Sequence, residues 1–208
     1  MPTGLPLTDE TPPSPDTRSR VVAAAMELFA VRGIRSTRVE EVAREAGVTR
    51  MTVHRHFGGK EGLVQAVLER LGEAFHEASA RARTSGENDP ETYLAQAFQP
   101  LLALNRTSMV GRLGELRVLY PKLHSEYQAV RRQALGDIWD GLTHLLDKQG
   151  MLRQNPRPEV GRALFQESFA SAQRPEGMPE LAVPREELMR SLLRMLLYGI
   201  AIPPEQGR

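Results

Sequence analysis

From Thr49 to Lys60 the chain reads Thr-Arg-Met-Thr-Val-His-Arg-His-Phe-Gly-Gly-Lys, a run rich in hydrogen-bond donors. At about 100° per residue of helix, Val53 and Phe57 fall on one side. Met51, Thr52 and Arg55 point the other way, with Arg50 and His54 flanking them. Such a row suits the edges and backbone of a nucleic acid. Arginine forks onto guanine O6 and N7, and methionine meets a thymine methyl, so Arg50 and Met51 are the expected base contacts. Thr37, Thr49, Thr52, His54 and Lys60 are the expected phosphate contacts, and Arg55 and His56 are secondary ones. His56 has packing at the helix end as its alternative.

Positioning that row requires two short helices around a turn, within Arg32 to Leu63. Thr37 followed by Glu40 has the spacing of a capping box and predicts a helix from about Arg38. Val39, Val42, Ala43 and Ala46 share one face of it, and Gly47 supplies a left-handed stop. Thr49 then caps the second helix. Gly58 and Gly59 break the chain before Lys60 and Glu61 open a third helix, whose free amides also suit a phosphate. A supporting helix over 17–32 carries Val21, Ala25, Leu28 and Phe29 inward and closes at Gly33.

Residues 18–68 resemble the tetracycline-repressor-like, or TetR-type, transcription regulators. The resemblance rests on the helix with Ala24, Ala25, Leu28 and Phe29, then Gly33, Thr37, the Ala46-Gly47-Val48 turn, the stretch from Thr52 to Phe57, and Lys60, Glu61 and Leu63. Two positions depart from the family pattern. His54 stands where tyrosine is usual and Met51 where glycine is common. The resemblance implies a double-stranded DNA operator as partner, a homodimer, and a small-molecule chamber in the helical remainder.

Composition sets the frame. With 208 residues, 40% of them hydrophobic, the chain can build a real core, and the absence of cysteine leaves no disulfide or thiolate metal site. The most apolar stretch, 191–202, is short and carries Arg194, so a cytoplasmic protein without a membrane span is expected. Net charge is only +1, but it is unevenly spread. Residues 1–16 carry −3 and are rich in proline, which predicts a disordered tail. Residues 17–62 hold nine Arg or Lys against five Glu, and residues 63–208 balance to zero. The positive excess therefore lies on the candidate DNA-binding unit.

The expected fold is all-α: a three-helix helix-turn-helix unit over 17–62 and a helical effector-binding and dimerisation domain over 63–208. A long helix from Lys60 to about Arg83, with Leu63, Val67, Leu71 and Phe75 inward, should join them. Further helices are expected at about 90–104, 107–119, 122–149, 158–173 and 185–201. In the last, Leu188, Leu192, Met195 and Gly199 form one apolar stripe, and Leu193, Leu196, Leu197 and Ile200 form another, so the helix needs two partners. With the small residues Ala163, Ser168, Ala170 and Ser171 on the preceding helix, this predicts a four-helix dimer interface containing Ala163, Leu188, Leu192, Met195 and Gly199. Phe98, Glu115 and Trp139 are the candidate ligand-binding residues. They come from a mixed set that also holds Tyr93, Leu102, Arg112, Tyr120 and His144.

No catalytic residue, cofactor or metal is assigned. His54 and His56 are too close for a helical metal pair, and neither a phosphate loop after a strand nor a GxSxG elbow occurs. The expectation is a repressor released from a pseudo-palindromic operator by an effector. An activator, an effector-free regulator, and a helical protein-binding adaptor are the alternatives.

Overall fold

A computed structural model describes residues 15–104, 112–153, 157–172 and 185–200. Among them are nine helices and no strand: α1 (Pro15–Arg32), α2 (Val39–Glu45), α3 (Arg50–Phe57), α4 (Lys60–Thr84), α5 (Pro90–Leu104), α6 (Leu113–Leu119), α7 (Pro121–Lys148), α8 (Pro158–Ala172) and α9 (Arg185–Ile200). None of them is long and apolar enough to cross a membrane. The all-helical expectation is met. The proposed disordered tail lies, up to residue 14, outside the described residues, and α1 starts at Pro15. The first part of the helix expected over 107–119 is likewise outside them, and its described part is α6.

α4 is the axis of the molecule. Its N-terminal half packs against α1 and α3, and its length lies along α5 and α7. The inward residues Leu63, Val67, Leu71 and Phe75 are fully buried, as the helical spacing predicts. Phe75 meets Tyr127 and Phe169 edge-on, with ring centroids 5.9 and 6.3 Å apart. A second aromatic group sits beside it, where Phe98 is edge-on to Phe165 at 5.9 Å and Trp139 lies 5.7 Å from the same ring.

The N-terminal unit of α1 to α3 is joined to the helical body through α6. Arg112, just before α6, donates from Nε to the Ala30 carbonyl at 3.1 Å and from Nη2 to the Val31 carbonyl at 3.2 Å. These carbonyls belong to the last turn of α1, where oxygens lack intrahelical partners and a cation is favoured. Glu115 does the converse. Its Oε2 accepts the amides of Ile34 and Arg35 at 2.9 and 3.2 Å. Gly33 has φ 84°, which favours glycine, and a Cβ there would stand 2.6 Å from Glu115 Oε1, so a side chain would push the carboxylate away from these amides.

This joint corrects the expectation for Glu115. Its carboxylate is engaged by the backbone amides of Ile34 and Arg35 and does not face a chamber shared with Phe98 and Trp139. Those two are packed shut in the aromatic core, 0% and 3% exposed. Glu115→Ala should cost roughly 1–3 kcal/mol in urea unfolding, because two amides lose their acceptor, and Glu115→Gln should cost less because one oxygen remains.

Candidate nucleic-acid interface

The turn between α2 and α3 follows from local backbone chemistry. Gly47, at φ 66°, lets its own amide reach the Arg44 carbonyl at 3.2 Å and the Val48 amide reach the Ala43 carbonyl at 2.9 Å. This is a Schellman motif, which satisfies the last carbonyls of α2. Thr49 caps α3, its hydroxyl oxygen accepting the Thr52 amide at 3.1 Å. Val53 and Phe57 are buried against the core, as the period predicts.

At the far end of α3, Gly58 at φ 70° and Gly59 at φ 144° redirect the chain into α4. Gly62 completes the junction. A Cβ on it would lie 1.8 Å from the Phe57 carbonyl oxygen, so only glycine lets the end of α3 sit against the first turn of α4. The orientation of α3 is therefore fixed at both ends.

The start of α2 differs from the expected capping box. Arg38, not Thr37, is the N-cap, and the Glu41 carboxylate accepts the Arg38 amide at 2.8 Å. Thr37 is 1% exposed and its hydroxyl donates to the Gly33 carbonyl at 2.8 Å. A buried hydroxyl has to be satisfied inside the protein, and this demand outweighs a solvent-facing cap. Thr37 is thereby removed as a side-chain phosphate contact.

The remaining predicted residues divide by exposure. Arg50, Met51, His54 and Arg55 are exposed, Met51 at 72%, and Thr49 is exposed beside its capping bond. Thr52 is half-buried, its hydroxyl 2.9 Å from that of Thr49. Lys60 is half-buried and donates from Nζ to the Arg35 carbonyl at 2.9 Å, with desolvation drawing its pKa below the usual lysine value. One of its three ammonium protons is thus committed to the fold. Arg50 is ion-paired through Nε with Glu40 at 2.9 Å. Sequence reasoning misses Glu40, although its place in the first turn of an exposed helix beside the reading row is a usable signal.

His56 takes the packing alternative. Its ring lies 5.8 Å from that of Phe57, and its Nε2 is buried without a hydrogen-bond partner. Arg18 covers the other ring of this corner, 5.4 Å from the Phe57 centroid. Desolvation first, then the positive charges of Arg55 and Arg18, hold the His56 pKa below 6.5.

Outside the reading head, a cleft of about 510 Å³ lies between the end of α4, the 84–89 connection and α7. Tyr93 and His144 line it, while Phe98, Glu115 and Trp139 do not. Its polar groups serve the fold. Tyr93 donates to the Ile138 carbonyl at 3.1 Å, and burial together with Asp137 and Asp140 pushes its pKa well up. Asp137 accepts Arg83 at 2.6 Å, and Asp140 pairs with Arg162 at 3.4 Å.

The dimerisation candidates are on the surface of α8 and α9. Ala163, Met195 and Gly199 are exposed, Leu188 and Leu192 are half-buried, and Leu193, Leu197 and Ile200 face the core. Val160 and Leu164 add exposed apolar area on α8. Ala170 departs from the expected small-residue face, being 6% exposed on the core side of α8.

A three-helix unit whose second turn helix stands outward on a helical body defines the helix-turn-helix class of regulators. Residues 21–67 match the family model described as bacterial regulatory proteins, tetR family. TtgR, an HTH-type transcriptional regulator of Pseudomonas putida, is 30% identical over 132 residues, which make up 62% of this chain and 63% of TtgR. KstR2, an HTH-type transcriptional repressor of Rhodococcus jostii, is 23% identical over 203 residues, 95% of this chain and 98% of that protein. The fold is shared with SmeT, the repressor of the Stenotrophomonas maltophilia multidrug efflux pump SmeDEF. There the TM-score is 0.66 at 22% identity, over 90% of this chain and 93% of SmeT. The match to the tetR family of bacterial regulatory proteins thus covers the helix-turn-helix unit, residues 21–67, and the chain spans just under two thirds of the length of TtgR.

Because His56 is favoured neutral in the folded chain, acid favours the unfolded chain, which takes up the proton more readily. Stability should be flat above about pH 7 and fall as pH drops below 6.5 toward the lowered folded value. His56→Phe should remove this share of the loss, so that thermal melts of variant and wild type diverge on acidification, with the wild type falling further.

Proposed function

We propose that this protein is a homodimeric repressor that reads a pseudo-palindromic operator through α3 and is released by a small effector. The observation that carries the reading is the exposed row Arg50, Met51, His54 and Arg55 on a helix locked at both ends by Thr49, Gly58 and Gly62. Rigid presentation keeps the cost of ordering low on binding. Arg50 and Met51 reach base edges. Thr49, Thr52, His54 and Lys60 hold phosphates, with Arg55 as an outer contact. KstR2 and SmeT are repressors, which supports the direction of control.

The apolar surface of α8 and α9 supports the dimer. Val160, Leu164 and Met195 are 45%, 54% and 73% exposed, a pattern that pairing two copies through a two-fold axis would bury. Two reading heads then address half-sites one helical turn apart, about 34 Å, or multiples of it. An effector that binds better to a different spacing of the heads shifts the population away from the DNA-competent one. The cleft at the far end of α4 offers room for it, and α4 with the Arg112–Glu115 joint links that end to the reading head. The surroundings for this activity are the cytoplasm.

Two experiments test the reading. In gel shifts against DNA upstream of its own gene, Arg50→Ala should cost about 1–3 kcal/mol on the preferred site and relax choice at one base pair per half-site. Equal loss on every duplex contradicts base reading, and no binding at all by the wild type favours a protein-binding adaptor. In light scattering, Met195→Arg should give monomers with weak operator binding; an unchanged dimer sinks the interface assignment.

A further inference from the structure

Glu40 is the one carboxylate in contact with the outward row of α3 among the ion pairs of the described residues, and it touches the residue assigned to base reading. It lies in the first turn of α2, and its Oε1 is 2.9 Å from Nε of Arg50, the first residue of α3. Both side chains are open to solvent, 46% and 72% exposed. An exposed pair of this kind contributes little to folding stability. A negative charge here also works against phosphate binding, since it stands on a surface that has to approach a polyanion.

The atom engaged is informative. A guanidinium presents five donors in a planar fork. With Nε held by Glu40, the two terminal nitrogens are left along the axis of the side chain, and these are the atoms that pair with guanine O6 and N7. The carboxylate removes rotamer freedom from a long side chain before DNA arrives, which lowers the ordering cost at that contact. It also competes with a phosphate for the same guanidinium, so Arg50 gains less from a backbone contact made anywhere along the duplex.

We propose that Glu40 is a positioning residue for Arg50, and that it determines specificity by holding the guanidinium for a guanine while disfavouring non-specific phosphate binding. The proposal rests on the assignment of Arg50 to a base edge. Loss of Glu40 then has two opposite effects: discrimination falls at the Arg50 base pair, and affinity for unrelated DNA rises.

Selection from a randomised duplex library with the full chain yields the preferred site and tests the proposal on it. Wild type, Glu40→Gln, Arg50→Ala and the double variant are compared, each followed by binding to single-base variants of the selected site over a salt series. Glu40→Gln should reduce discrimination at one guanine per half-site by about three- to ten-fold, tighten binding to unrelated duplex, and leave the other positions unchanged. In the Arg50→Ala background the same substitution should leave discrimination at that position unaltered.

A uniform change of affinity on all duplexes in Glu40→Gln overturns the proposal and leaves Glu40 as a simple repulsive charge. Equal effects of Glu40→Gln with and without Arg50 also overturn it, by showing that Glu40 acts on the DNA directly. If Arg50→Ala itself shows no base-specific loss, the reading of Arg50 fails and the proposal falls with it, a result distinct from the other two. A thermal melt of Glu40→Gln equal to that of the wild type separates all these outcomes from a folding defect.

Discussion

The architecture depends on one backbone contact, the approach of the Phe57 carbonyl to Gly62. The end of α3 occupies the space that a side chain on the first turn of α4 would take. Since α4 packs on α1, α3, α5 and α7, the helix that organises the body starts from the helix that is presented outward. A tilt of one is a tilt of the other. The left-handed Gly58 and the open Gly59 allow the chain to turn sharply enough for this contact, and no residue with a Cβ satisfies all three positions without strain.

The second tie between the two halves is electrostatic and local. Arg112 supplies donors to the carbonyls that end α1, and Glu115 supplies an acceptor to the amides that follow them. Each group answers an unmet hydrogen bond of the helix terminus, so the joint stabilises the reading head and the body together. The polarity of the pair matches the polarity of a helix end. Lys60 reinforces the same corner by donating to the Arg35 carbonyl, which explains why a lysine beside the end of α3 is half-buried and desolvated.

The helix-turn-helix unit holds the positive excess, whereas the remainder is electrically balanced. Exposed apolar residues occur in both, Val31 and Met51 in the first and Val118, Val160, Leu164 and Met195 in the second. Within the second, Phe75, Phe98, Trp139, Phe165 and Phe169 form a closed aromatic interior. A cleft of open volume lies apart from it, where α4 ends and the chain turns back toward α5.

The sequence by itself determined the helical elements, the Gly47 turn, the Thr49 cap, the inward Val53 and Phe57, and the outward side of α3, because each follows from contacts within a few residues of chain. It also separated the two stripes of α9, of which Leu193, Leu197 and Ile200 face the core. Only the tertiary structure decided what depends on distant partners. Thr37 looked like a cap because its spacing to Glu40 is right, yet burial against the end of α1 turned its hydroxyl to the Gly33 carbonyl. Glu115 looked like a pocket residue because it is an isolated acid in an apolar helix, yet its partners are amides 80 and 81 positions earlier in the chain. Local periodicity carries the direction in which a side chain points. It carries no information about which remote group will need a hydrogen bond when the chain closes.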